Sequence, residues 1–258
     1  MSLGTDRDAF VVGFGRRTTS VILLSILLVG WQAFTVVTGV PSVIFPSPVA
    51  VARATVATGT VLLGAATVTV LTAGLGLVGG TVLGLFLAFV MTASRNAAAI
   101  LHPYVVALRI APMIAIAPLF FLWLGHGIPA RAALVVTLTV FPVAIASLDG
   151  LQSVPREYLD LTRSVDASKA RTFLTIRLPA AAPSVFAGIK LAAALSVVGA
   201  VTAEFLILDS GLGYRVFDTS RTLRTARMFA ALFVLALLGI GFFLVPVLIE
   251  KRIRWGRN

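Results

Sequence analysis

Between Ala54 and Ser94 the chain carries forty-one consecutive residues without a charge. A stretch of that length suits a bilayer, whose ~30 Å hydrocarbon core takes a helix of about 20 residues. Further apolar runs of spanning length recur near residues 18–37, 103–124, 132–148, 183–205 and 228–249. The ten-residue alternation of a membrane β-barrel strand is absent. Charged residues make up 12% of the chain and hydrophobic ones 59%, about half the charge fraction of a soluble domain. The expected fold class is therefore all-α: a polytopic membrane protein of about six transmembrane helices.

Two spans and a turn barely fit the 54–94 run, so one long span over 62–92 is expected, preceded by a surface helix. Pro41, Pro46 and Pro48 break the chain after the first span, and Ser47 or Ser42 is placed to cap that surface helix. Gly76, Gly80 and Gly84 repeat at four-residue spacing, a small-xxx-small pattern that lets a neighbouring helix come close. The 103–124 span contains Pro112 and Pro118, whose freed carbonyls need neighbours or a cavity to satisfy them. Residues 1–17 read as a polar N-terminal segment, 18–249 as the membrane domain and 250–258 as a basic tail with Trp255 as an interfacial anchor. The apolar run after Arg17 is too long for a signal peptide and lacks a small-residue cleavage site, so it is expected to stay as an uncleaved span.

The formal charge of +11 does not point to nucleic acid, because the basic residues cluster at the ends of apolar runs, as positive-inside topology requires. Six spans put both termini in the cytoplasm. Thirteen of the 21 Lys and Arg residues then fall in cytoplasmic segments, six fall outside, and Arg109 and Lys190 lie within spans. The exception is the last external loop, where Arg215, Arg221, Arg224 and Arg227 are only partly offset by Asp209 and Asp218. With no cysteine, disulfide and thiol chemistry are excluded.

The sequence has no G-x-x-x-x-G-K-[ST], H-E-x-x-H or G-x-S-x-G. Any ATP-driven work therefore needs a separate ATPase. His102 and His126 are lone histidines at span ends, suited to interfacial hydrogen bonding and too few for a metal site. An intramembrane enzyme, such as a lipid-modifying transferase, needs clustered carboxylates or histidines, whereas the ten acidic residues are scattered. A self-contained secondary transporter would show internal repeats, and none is evident. Ionisable groups inside spans are costly and often functional. Arg109 is placed either to attract an anionic or carbonyl-bearing solute or to snorkel to the surface, and Lys190 to snorkel. Glu204 suits a pair with an external arginine or a gate. Phe120, Phe121 and Trp123 suit either stacking on a flat heterocycle or ordinary packing.

The longest polar segment runs over 149–183, DGLQSVPREYLDLTRSVDASKARTFLTIRLPAAAP, between two spans. Its five basic residues, Arg156, Arg163, Lys169, Arg171 and Arg177, assign it to the cytoplasm. Pro155 suits a helix start and Glu157 its first turn, with Leu159, Leu161 and Val165 as apolar contacts. An amphipathic helix held between two spans can pass a partner's motion to both.

The stretch from Pro155 to Pro183 resembles the cytoplasmic EAA loop of permease subunits from binding-protein-dependent ABC importers, with Glu157 at the motif's Glu and Leu178–Pro179 and Pro183 at its distal positions. PSVIFPSPVAV (41–51), PLFFLWLGHG (118–127), AGIKLA (187–192), AVTAEFL (200–206) and GLGYRV (211–216) are similar, in the same order, to the sulfonate, nitrate, taurine and pyrimidine-precursor branch. The resemblance covers roughly residues 40–250.

It implies a type I importer permease of the bacterial plasma membrane, whose coupling loop over 149–182 docks an ATP-binding subunit through Pro155, Glu157, Tyr158, Leu159, Leu161, Val165, Asp166 and Ala167. ATP and Mg would be bound by that partner and no cofactor by this chain. A second permease copy, as a homodimer, and an extracytoplasmic solute-binding protein are the other implied partners. Arg109, Pro112, Pro118 and Glu204 are candidates for the translocation path. The version LTRS…RLPAAAP…FAGIKLAA looks closer to permeases for pyrimidine thiamin precursors or riboflavin-like heterocycles, with sulfonate or taurine, and then nitrate, as alternatives. One departure stands out: Asp166 occupies the place of the family's Gly. Asp tolerates a left-handed backbone better than most residues and can cap the helix that follows.

Overall fold

A computed structural model describes residues 5–110, 113–164 and 166–253. Among them the regular structure is helical throughout: α1 (Thr5–Thr38), α2 (Pro48–Ala57), α3 (Gly59–Ala93), α4 (Arg95–Ile110), α5 (Met113–Leu124), α6 (Ile128–Gln152), α7 (Arg156–Ser164), α8 (Lys169–Thr172), a π turn (Phe173–Arg177), α9 (Leu178–Ile207), α10 (Leu212–Arg221) and α11 (Thr225–Arg252). Five helical stretches among the described residues are long and apolar enough to cross a membrane: Val21–Thr38, Gly59–Ala93, Ile128–Gln152, Ala170–Ile207 and Thr225–Arg252.

The uncharged run divides as its length requires. Pro48 opens α2 and the Ser47 hydroxyl accepts the Ala50 N–H at 3.2 Å, so the first of the two capping candidates is the cap. The Thr58 hydroxyl donates back to the Ala54 carbonyl at 2.7 Å where α2 ends. α3 then runs unbroken for 35 residues, about 52 Å at 1.5 Å per residue, well beyond a ~30 Å core.

Two expectations need correction. The 103–124 span is not one described helix. The Ser94 hydroxyl accepts the Ala97 N–H at 3.3 Å, so α4 starts at Arg95 and carries Pro103 inside it. Residues 111–112, Pro112 among them, lie outside the described residues, and α5 follows. The stretch 169–182 is not a loop either. It is helical and continuous with α9 through the π turn, where the Leu178 N–H reaches the Phe173 carbonyl. Pro179 has no N–H and its ring crowds the preceding turn, and widening that turn relieves the clash.

The chain divides into two compact units, residues 1–59 with 218–230, and residues 60–217 with 231–258. The first holds α1, α2 and an aromatic cluster in which Trp31 lies 5.5 Å from Phe45 and 5.9 Å from Phe229 between ring centres. The Thr225 hydroxyl donates to the Val43 carbonyl within the same unit.

The second unit is built on α6, the helix richest in buried residues among the described spans. α3 lays Gly76, Gly80 and Gly84 against it: a Cβ on these residues would fall 2.2 Å from Val135 Cγ1, 1.9 Å from Thr139 Oγ1 and 2.8 Å from Val143 Cβ. The Thr139 hydroxyl lies 3.0 Å from the Gly76 carbonyl, a hydrogen bond across the seam. α9 approaches the other side through Gly188 and Gly199, and Gly150 of α6 meets Ala181 and Ser184. α11 adds Leu235, Leu238 and Phe242 to the cluster of Ala73, Val135, Val197 and Ala200.

The three-glycine pattern thus serves packing, and its consequence is directional. Gly80→Ala is expected to lower stability by about 1–3 kcal/mol through overpacking. Gly74→Ala, which meets nothing within 4 Å, should hold or gain through helix propensity. Melting curves of the detergent-purified variants check the contrast.

Candidate functional site

Two polar constructions flank the second unit. The first is the segment from α7 to α9. α7 follows Pro155 directly, with Glu157 in its first turn, where a carboxylate favours the helix dipole. Tyr158 and Leu161, three residues apart on one face, are 56% and 61% exposed. Leu159 and Thr162 line the other side, toward an open cavity of about 990 Å³ that also takes in Phe89 and Ala93 of α3, Phe173 of the π turn and Arg177. Phe89 and Phe173 meet edge to face at 5.2 Å.

α7 closes as a Schellman motif. Asp166 has φ +46° and the Ala167 N–H donates to the Thr162 carbonyl at 2.9 Å. The left-handed turn expected of the family's Gly is therefore made with Asp, at a cost of roughly 1–2 kcal/mol. Asp166 does not cap the next helix: the Ser168 hydroxyl does, accepting the Arg171 N–H at 3.2 Å. Val165 lies outside the described residues. The ends of the segment are anchored, since Leu151 and Ala181 belong to one buried cluster with Ala88, Met91, Val105, Ala144 and Leu148.

The second construction gathers residues distant in sequence. Glu204, fully buried near the end of α9, accepts the Gly213 N–H at 2.7 Å and lies beside Thr69 of α3. Thr69 Oγ1 also accepts the Leu212 N–H at 2.9 Å. The first two amides of α10 are thus capped by side chains of two other helices. Gly211 (φ +101°) and Gly213 make room, because a Cβ on them would lie 2.1 Å and 2.9 Å from the Glu204 carboxyl. Beside this seat Arg131, 2% exposed, meets Asp209 Oδ1 at 2.5 Å and the Ser210 hydroxyl at 3.1 Å. Burial pushes the Asp209 carboxyl upward, but the Ser210 hydroxyl and the Arg131 guanidinium outweigh it and hold the group below the usual aspartate range.

Sequence reasoning singled out Glu204 but missed Thr69 and Arg131, and took Asp209 only as a partial offset to the basic residues of its loop. Gly211 and Gly213, two residues apart and just after an acid at a span end, were the available clue. Pro118 and Glu204 each lie one residue beyond a shared α5–α9 cluster containing Ala117 and Ala203. Pro118 is exposed and Glu204 sealed. The side chain of Arg109 lies outside the described residues. Lys190 is not merely snorkelling, since it forms an ion pair with Glu250 of α11. Phe120 and Phe121 pack half-buried around Met113 and Leu134, with Phe121 stacked on His126 at 5.7 Å, while Trp123 is 69% exposed.

Spans packed through glycine seams, with a short amphipathic helix hung between two of them, define a multi-pass helical membrane protein. The chain belongs to the family of binding-protein-dependent transport system inner membrane components, whose sequence profile matches residues 80–255. It is a permease subunit of an ABC importer, a transport subunit and not an enzyme, and membership implies a separate ATPase and a binding protein as partners. A probable ABC transporter permease protein of Haemophilus influenzae is 34% identical, covering 88% of this chain and 93% of that one. The formylaminopyrimidine transport permease protein of Halalkalibacterium halodurans is 33% identical (90% and 93%), and the riboflavin transport system permease protein of Chloroflexus aurantiacus is 31% identical (91% and 88%). A crystal structure of an amino acid ABC transporter with histidines has the same fold, with a TM-score of 0.52 at 18% identity over 77% of this chain and 96% of that one.

The depressed Asp209 fixes the sign of one pH effect. Its pairing with Arg131 contributes in full above the ordinary aspartate value of about 4 and is lost as the pH falls through the lower native value. Melting temperature should therefore drop on acidification in the native protein, and Asp209→Asn should lose that acid-dependent component.

Proposed function

We propose that α7 and the Asp166 turn are the docking element for the ATPase subunit, and that two copies of this chain form the pathway. The carrying observation is a nine-residue helix that exposes Tyr158 and Leu161 above a cavity reaching α3. Apolar side chains on a cytoplasmic helix gain only when a partner covers them. The distribution of basic residues supports a cytoplasmic place for this segment and for both termini. The partner would bind ATP and Mg, and its closure would displace α7 and switch access across the bilayer.

For the cargo, the reading is a pyrimidine thiamin precursor or a riboflavin-like heterocycle. Two relatives support it by name, the formylaminopyrimidine and riboflavin permeases, at 33% and 31% identity. A sulfonate permease of Bacillus subtilis, at 27% over a similar share of the chain, supports the alternative cargo of sulfonates or taurine. Specificity in such systems resides largely in the binding protein, so the spans need carry little of it.

Removal of residues 155–168 should abolish transport and stable association with the ATPase, while Asp166→Gly should keep or tighten it by relieving the left-handed strain. Transport that survives the deletion, or an Asp166→Gly variant that loses the ATPase on size-exclusion chromatography, would refute the docking reading. Cells carrying the permease with its ATPase and binding protein should accumulate labelled formylaminopyrimidine or riboflavin in preference to taurine, and the reverse preference would overturn the cargo assignment.

A further inference from the structure

The cavity beneath α7 holds two charges that no described residue answers. Arg177, the last residue of the π turn, is half-buried in its wall, and Asp166 lines it from the turn after α7. They do not pair with each other, and among the described residues neither side chain has an ion-pair or hydrogen-bond partner. Both charges are placed at a cost. A cation half-withdrawn from water loses hydration that no carboxylate here replaces. A carboxylate at the C-terminal end of a helix faces the negative end of the dipole, and Asn would make the same left-handed turn without the charge. Nor does the Asp166 carboxyl serve the next helix, whose cap is Ser168.

Beside these charges Phe89 of α3, Leu159 of α7, and Phe173 and Leu174 of the π turn supply an apolar wall. Phe89 and Leu174 are both exposed. The place is the edge of the bilayer. Gly59–Ala93 and Ala170–Ile207 both have the length and composition of spans, and the cavity takes in the last turn of one and the first turns of the other. A basic pocket between helices at the cytoplasmic ends of spans is a setting in which lipid headgroups bind.

We infer that this cavity is a binding site for a phospholipid whose headgroup carries a phosphate and a primary ammonium, as phosphatidylethanolamine does. The phosphate would pair with Arg177, the ammonium would donate to Asp166, and an acyl chain would lie against Phe89, Phe173 and Leu174. The two charges select the headgroup. Phosphatidylglycerol would leave Asp166 beside a second negative charge, and phosphatidylcholine offers it a quaternary ammonium with no N–H to donate. The ATPase is the competing occupant, but the face proposed for its docking, Tyr158 and Leu161, is turned away from the cavity that Leu159 lines. The inference rests on the cytoplasmic placement of this segment and not on the docking itself.

The test reads which lipid reaches the cavity. Leu174→Trp places a fluorophore on its wall in the full-length permease, held in phosphatidylcholine nanodiscs, and lipids with brominated chains quench it on contact. Brominated phosphatidylethanolamine should quench the added fluorescence at about tenfold lower mole fraction than brominated phosphatidylglycerol or phosphatidylcholine. Arg177→Gln should remove that advantage, and Arg177→Lys should restore much of it. Asp166→Asn, which keeps the turn, should pass the preference to phosphatidylglycerol, a reversal that a merely structural role would not give. Equal quenching by the three lipids, or an Asp166→Asn variant that still prefers phosphatidylethanolamine, would overturn the inference. So would displacement of the lipid by free phosphoethanolamine, or loss of quenching when the ATPase is added. An ATPase that fails to dock would leave the quenching unchanged, so the two readings fall separately.

Discussion

Everything in the membrane part of this protein depends on how closely backbones can approach α6. Lipid tails are as apolar as leucine, so helices in a bilayer gain nothing from hiding hydrophobic surface and must associate through contact and hydrogen bonding. Gly76, Gly80 and Gly84 of α3 and Gly188 and Gly199 of α9 provide that contact on two sides of one helix. The Thr139 hydroxyl adds a polar tie to the Gly76 carbonyl. With α3, α6 and α9 drawn together, their ends set where the polar constructions can stand.

At one end, Thr69 of α3 and Glu204 of α9 become a shared cap for α10. At the other, the end of α3 projects far enough to meet the α7–α9 segment. A 35-residue helix cannot be contained by a hydrocarbon core, and its surplus length is used here: Phe89, Thr92 and Ala93 form one wall of the cavity beneath α7. The segment itself is less free than a loop, because Leu151 and Ala181 pin its two ends in one cluster and a continuous helical path joins Lys169 to α9.

Much of this was legible in the sequence because the underlying constraints are one-dimensional. The length of an uncharged run decides a single long α3; Pro48 after Ser47 starts α2; a four-residue glycine period marks a packing face. The Asp166 turn was legible too, since few residues other than Gly accept that backbone. What escaped depends on three-dimensional company. Arg131 looks like a surface charge until Asp209 and Ser210 are beside it, and Glu204 like a gate or an arginine's partner until the Gly213 amide of α10 points at it. The helix through 169–182 was hidden by Pro179 and Pro183, which read as breakers unless a π turn absorbs the first of them.

The Lys190–Glu250 pair carries a consequence for how the protein is made. Lys190 is synthesised sixty residues before Glu250, so α9 must enter the bilayer with its cation alone. During that interval the long side chain has only the interface to reach for. Once α11 arrives, the ammonium gains a carboxylate and the two charges share one neutral contact. Snorkelling and pairing are thus successive states of the same residue, and the contact between α9 and α11 at this level is a late event in assembly.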